Sequence, residues 1–115
     1  ILLQKYQFLI KSSQNNNKIM LDFYAIQDHQ PSPKFPEELD LSMIGSIPFN
    51  EFKSLKQKEI IEPEYNFYED FRWSALYVIN KLESLKDSTD TDSIKLCEIL
   101  TLAIEKSGGI IAFCD

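Results

Sequence analysis

Between Glu59 and Trp73 the chain concentrates the side chains best suited to chemistry or recognition. Five carboxylates, Glu59, Glu62, Glu64, Glu69 and Asp70, interleave with Tyr65, Phe67, Tyr68, Phe71 and Trp73, and no base occurs before Arg72. Tyrosine and tryptophan provide a large contact area at little entropic cost, and carboxylates steer association with a positively charged cleft. Read this way, Glu62, Glu64, Tyr65, Tyr68, Glu69 and Asp70 are candidate contacts for a basic partner. A plainer reading applies to at least half of them: the aromatics enter the core, the acids are solvated, and some serve a helix N-terminus. Catalysis by Glu69 with Asp70 is the weakest option, since adjacent residues on a helix point about 100° apart and do not share a site.

A second acidic group is Asp87-Ser88-Thr89-Asp90-Thr91-Asp92. Three carboxylates with interleaved hydroxyls resemble part of a calcium loop, but the turning glycine and the closing bidentate glutamate are missing. The simpler expectation is an inter-helix loop ending in an N-cap from Thr89, Asp90 or Asp92. Asp87, Asp90 and Asp92 also stand as a second set of candidate partner contacts.

Elsewhere the machinery for catalysis is sparse. His29 is the only histidine and falls in a proline-rich connection, where an exposed loop residue is expected rather than a base for a Ser or Cys nucleophile. His29, Cys97 and Cys114 lie far apart and form no metal-ligand spacing. Gly45, Gly108 and Gly109, the only glycines, form no phosphate-binding arrangement. No catalytic residue, cofactor or metal is expected.

The 115 residues carry a net charge of −6, with an isoelectric point near 4.7. Residues 1–58 hold 6 acids and 7 bases, whereas residues 59–115 hold 12 acids and 5 bases, a balance of −7. Such a surface repels phosphate backbones and anionic membranes, and suits a basic protein instead. No apolar run approaches the ~20 residues of a membrane span, and no basic-then-apolar leader is seen, although the chain begins without Met. Cys97 and Cys114 sit in apolar segments, so buried free thiols in a reducing, cytoplasmic compartment are expected. With 43% hydrophobic and 12% aromatic residues, the chain has the apolar surface to fold as one domain spanning 1–115.

Periodicity indicates what positions these groups. Tyr6, Phe8 and Ile10, then Ile19, Leu21, Phe23 and Ala25, alternate with neighbours as in two strands, which predicts an N-terminal β-hairpin around the polar loop 12–17. Pro31, Pro33 and Pro36 make 27–40 a connection. A short strand is predicted within 41–49 and a short helix over 50–58, capped by Asn50, with Phe52 and Leu55 inward; Ile60-Ile61 could add another strand. Ala75, Val78, Ile79, Leu82 and Leu85 predict an amphipathic helix over 69–86, with Glu69 and Asp70 at its positive end. Leu96, Ile99, Leu100 and Ala103 predict a second helix over 93–106, with Ile94, Cys97 and Ile104 widening its buried stripe. Gly108-Gly109 would end it, before a buried strand over 110–114. This order predicts an α+β domain with helices on one face of a mostly antiparallel sheet.

Pro63-Glu64-Tyr65, followed by Trp73-Ser74-Ala75-Leu76, resembles the inhibitory helix region of the barstar family of intracellular ribonuclease inhibitors. The closing segment from Leu96 through Gly108-Gly109 is similar to the C-terminus of that family. More loosely, the chain resembles the small acidic immunity proteins that protect bacteria from their own toxins. The resemblance covers the second half of the chain. It departs at the N-terminus, where a hairpin is expected in place of strand then helix, and in having no strand between the two long helices. It implies a compact, non-catalytic protein that binds a basic bacterial toxin, a nuclease, and covers its active site. The alternative is a regulatory or adaptor domain, homo-oligomeric through the exposed edge of the hairpin.

Overall fold

A computed structural model describes residues 19–106 and 108–115. Its elements, in chain order, are β1 (Met20–Ile26), β2 (Met43–Pro48), α1 (Phe49–Gln57), β3 (Phe71–Trp73), α2 (Ala75–Leu85), α3 (Thr91–Lys106) and β4 (Gly109–Cys114). The four strands form one antiparallel sheet in the order β2-β1-β4-β3. The helices pack on one face of it, giving the expected α+β architecture.

Alternation along β1 and β4 divides the residues between two faces. Leu21, Phe23 and Ala25 of β1 and Ile110 and Ala112 of β4 join Phe52, Leu55, Val78, Leu96 and Leu100 in the main core. Ile26, Ile111 and Phe113 point the other way and form a second cluster with Tyr24, Leu39 and Leu41. That is why β4 reads as a continuous apolar run: it is buried on both sides. The expected hairpin partner over residues 2–11 lies outside the described residues. Both edges of β1 are taken, by β2 and by β4.

In the connection, Pro36 begins one 3-10 turn, Pro36–Leu39, which ends at Asp40 in the left-handed region (φ 53°). β2 runs straight into α1. Pro48 occupies the capping position without a side-chain bond, and Asn50, expected as the cap, lies inside the helix. Phe52 and Leu55 face inward as expected. Ile60 and Ile61 do not form a strand. Their N–H groups both donate to the Leu55 carbonyl, at 2.9 and 3.2 Å, after Glu59 turns with φ 60°, so they close the end of α1.

The largest departure from the periodicity lies at residues 69–74. The expected helix starts only at Ala75, because Phe71 and Trp73 pair with Ala112 and Ile110 as strand β3. Their side chains enter the main core while Arg72, between them, points away and binds Ser32 and the carbonyls of Gln27 and Asp28. Two caps start α2. Ser74 Oγ accepts from Tyr77 N at 3.1 Å, and the Asp28 carboxylate accepts from Ala75 N at 2.9 Å. Glu69 and Asp70 therefore precede a strand and do not serve the helix dipole. Along α2, Val78 and Leu85 are buried, but Ile79 is about half exposed (49%). On α3, Leu96, Ile99, Leu100 and Ala103 are buried, whereas Ile94 and Ile104 stay outside, leaving a narrower stripe than expected. Gly108 closes this helix with φ 98° and an N–H bond to the Ala103 carbonyl at 2.6 Å. Among the described residues, no helix is long and apolar enough to cross a membrane.

Candidate partner-binding surface

The segment between α1 and β3 is held from below by its own aromatic and backbone groups. Phe67 is 2% exposed, edge-on to Phe49 and Phe52 with ring centroids 5.4 and 5.5 Å away. Tyr65 packs against Phe71, Trp73 and Tyr77. Lys56 reaches across from α1, and its Nζ donates to the carbonyls of Pro63 (3.1 Å) and Tyr65 (2.7 Å). Asn66 Oδ1 accepts from Tyr68 N at 2.8 Å, and its carbonyl accepts from Glu69 N at 3.2 Å, which makes a tight turn of 66–69. A polar loop without helix or strand is thereby given a defined shape.

This anchoring sorts the candidate contacts into two groups. Glu62 and Tyr65 are turned toward the body of the protein. Glu62 pairs with Lys81 at 2.7 Å and accepts a hydrogen bond from the Tyr77 hydroxyl. Lys81 Nζ also donates to the Ile60 carbonyl at 2.6 Å and lies over the Tyr77 ring. Burial pushes the Glu62 carboxyl up, but the hydrogen bonds from Lys81 and Tyr77 outweigh it and hold the group below the usual range. Tyr77 moves the opposite way: burial, then the bond to Glu62 and its charge, keep the phenol protonated far above its ordinary value. The Tyr65 phenol is raised by burial and by the charges of Glu62 and Glu64. Nearby, the buried Trp73 indole N–H closes no hydrogen bond among the described residues. Neither Tyr77 nor Lys81 stands out in the sequence, where both read as ordinary residues of an amphipathic helix.

Glu64, Tyr68, Glu69 and Asp70 face outward. Tyr68 is 62% exposed and stacks on Phe49, itself 45% exposed, with ring planes 25° apart. Among the described residues, Glu64, Glu69 and Asp70 have no ion-pair partner. The sheet adds acids that sequence distance conceals. Asp22 pairs across to Phe113, and Asp22, Asp70 and Asp115 all act on the Cys114 thiol, which burial and then these charges raise. Beside Tyr68 lies an open cleft of about 430 Å³, floored by Phe49, Phe52 and Phe67, with Lys53 and Lys56 along its α1 side.

Two acids of the second group, Asp90 and Asp92, are committed internally. Asp90 caps α3, accepting from Ser93 N (3.1 Å) and Ser93 Oγ (2.8 Å). Lys58 pairs with Asp90 at 2.8 Å and with Asp92 at 3.5 Å, tying the end of α1 to the start of α3. The bond from Lys58, then those from Ser93, hold the Asp90 carboxyl well below the usual range, and Lys58 is raised in turn. Asp87 is exposed. An ammonium thus occupies the place a cation would take, and no group of metal-ligating side chains occurs among the described residues. His29 lies exposed in the connection, and both cysteines are free and half-buried.

No protein-family model matches this chain, and neither the curated proteins nor the solved structures contain a match to it.

Proposed function

We propose that this chain is an immunity or inhibitor protein, which binds a basic bacterial toxin, a nuclease, and covers its active site. The observation that carries this reading is the outward display of Glu64, Tyr68, Glu69 and Asp70 on a segment anchored by Tyr65 and Phe67. A pre-shaped surface loses little entropy on docking, and its unpaired carboxylates complement a cleft built to hold a phosphate backbone. The −7 balance of residues 59–115 extends the same field. The resemblance of Pro63-Glu64-Tyr65 and Trp73-Ser74-Ala75-Leu76 to barstar-type inhibitors supports the same class. In this reading the protein acts in the cytoplasm, where Cys97 and Cys114 stay reduced.

The test begins with capture from the native host at low salt. The expected product is a stoichiometric basic protein released by high salt, whose nuclease activity disappears when the captor is added back. A partner whose activity is untouched would sink the inhibitor reading. Charge reversal at Glu64 and Glu69 then checks steering: association slows, and the slowing shrinks as salt rises. Equal loss at every ionic strength would exclude it.

One observation favours a second reading, a regulatory or adaptor domain that self-associates. Among the described residues no strand covers the outer edge of β2, and Met43–Pro48 carries no charged side chain to protect it. A solution mass above one chain, unchanged by any partner, would support that alternative; a monomeric mass would remove it.

A further inference from the structure

We propose that the cleft beside Tyr68 is a binding site for a small aromatic carboxylate, a flat ring carrying an acid group. The site is independent of the partner-binding reading. Spacing along α1 builds one wall of it. Phe49, Phe52, Lys53, Lys56 and Gln57 all line the cleft, and their intervals of three and four residues set them on one face of the helix. Rings come first along that face and lysines follow, so the helix gives the cleft an aromatic end and a cationic end. Tyr68, opposite, completes the aromatic end. Phe67 stands edge-on to both Phe49 and Tyr68, with centroids 5.4 and 5.1 Å away, while Phe49 and Tyr68 remain exposed. Their open edges and faces are surfaces on which a further ring packs.

Charge decides what that ring carries. Lys58, Lys81, Lys86 and Lys95 each pair with a carboxylate. Lys53 and Lys56 have no ion-pair partner among the described residues, although acids outnumber bases by 18 to 12 in the chain. The carbonyls of Pro63 and Tyr65 hold Lys56 Nζ in place without cancelling its charge. The remaining polar lining, Gln57 and Asn66, is neutral, and among the described residues no carboxylate lines the cleft. The carbonyls of Ser54, Leu55 and Lys56 at the end of α1, which would repel an anion, are met by the N–H groups of residues 58–61. At about 430 Å³ the cleft falls in the range of small-ligand sites, which are mainly apolar with a few polar groups that orient the ligand. Phe49 and Lys53 are about 6 Å apart along the helix axis, a span that a bicyclic acid bridges. The ring therefore lies against Phe49 and Tyr68, and its carboxylate accepts from the ammonium groups of Lys53 and Lys56.

Amide chemical-shift titrations of the whole protein with naphthoate, naphthamide and naphthylmethylammonium, one ring in three charge states, test this. The expected result is saturable shifts over 49–57 and 66–68 with naphthoate. Binding of the amide should be about tenfold weaker, and that of the ammonium weaker still. Lys53→Gln, at an exposed and unpaired side chain, lowers naphthoate affinity about threefold and leaves that of the amide unchanged. Tyr68→Ala lowers both about fivefold. Equal binding of naphthoate and the amide, or preference for the ammonium, would overturn the proposal by removing its acid specificity. Shifts centred elsewhere, or no saturation with any of the three, would remove the site itself. Partner capture reads the inhibitor proposal separately, so either can fail alone.

Discussion

Glu62 belongs to the acidic, aromatic stretch by sequence but is tied to Lys81 and Tyr77 of α2 by structure, and a double-mutant cycle with Tyr77 separates the two roles. The Tyr77 hydroxyl donates to a carboxylate that Lys81 also holds. A hydrogen bond to a charged group contributes about 1.5–3 kcal/mol. The Glu62 side chain is 36% exposed, so solvent screens the interaction, and about 1 kcal/mol of coupling is the better expectation. For 115 residues the unfolding entropy is about 0.24 kcal/mol/K, so that coupling corresponds to ~4 °C in Tm. Tyr77→Phe, Glu62→Gln and the double variant are compared by thermal and urea unfolding. The pH profile gives a second readout. Glu62 has a folded pKa below its unfolded value of about 4.3, so its contribution is complete above that pH and is lost as pH falls through the folded value. Tyr77 has a folded pKa raised above about 10, so its contribution is complete below that pH and fades as pH rises. Tyr77→Phe should therefore flatten the alkaline limb, and Glu62→Gln the acid limb. Additivity of the single variants within about 0.3 kcal/mol would refute the bond. Glu62→Gln that leaves stability untouched but weakens partner capture would return Glu62 to the interface.

Phe67→Ala removes the buried ring under the recognition segment and should cost about 3–5 kcal/mol; amide exchange over 65–69 should rise, and a Tm unchanged within error would refute its anchoring role. Gly109→Ala places a Cβ 2.6 Å from the Ile26 carbonyl, 2.9 Å from Asp28 Oδ1 and 3.2 Å from the Trp73 carbonyl, where β1, β3 and the α2 cap converge on β4. Because two of the three neighbours are backbone, a loss of more than about 2 kcal/mol is expected, read as a drop in urea midpoint; wild-type stability would show that the strands can separate there. Both thiols are raised by burial, and Cys97 Sγ donates to the Leu85 carbonyl at 3.8 Å, so iodoacetamide at mildly alkaline pH should label Cys97 and Cys114 more slowly than free cysteine. Labelling as fast as the free thiol would show them accessible.

Much of the fold is legible along the chain because it rests on local periodicity. Leu21, Phe23 and Ala25 alternate, and Leu96, Ile99, Leu100 and Ala103 recur at helical spacing; each pattern describes a face that has to be covered whatever covers it. The acidic balance and the scarcity of histidine and glycine are likewise properties of composition, independent of conformation. What periodicity could not supply is competition between partners far apart. Glu69 to Lys86 carries a helical pattern, but Phe71 and Trp73 pair with β4 instead, because that strand's free edge and the core beside Phe23 lie far away in sequence. The same long-range contacts decide the candidate surface. Lys81 and Tyr77 draw Glu62 inward, Lys58 occupies Asp90 and Asp92, and strand pairing sets Asp22 opposite Phe113. The sequence alone thus determined that this protein is acidic, aromatic and α+β. Which acids are free to meet a partner was decided only in three dimensions, since a carboxylate's availability depends on the donors that folding places beside it.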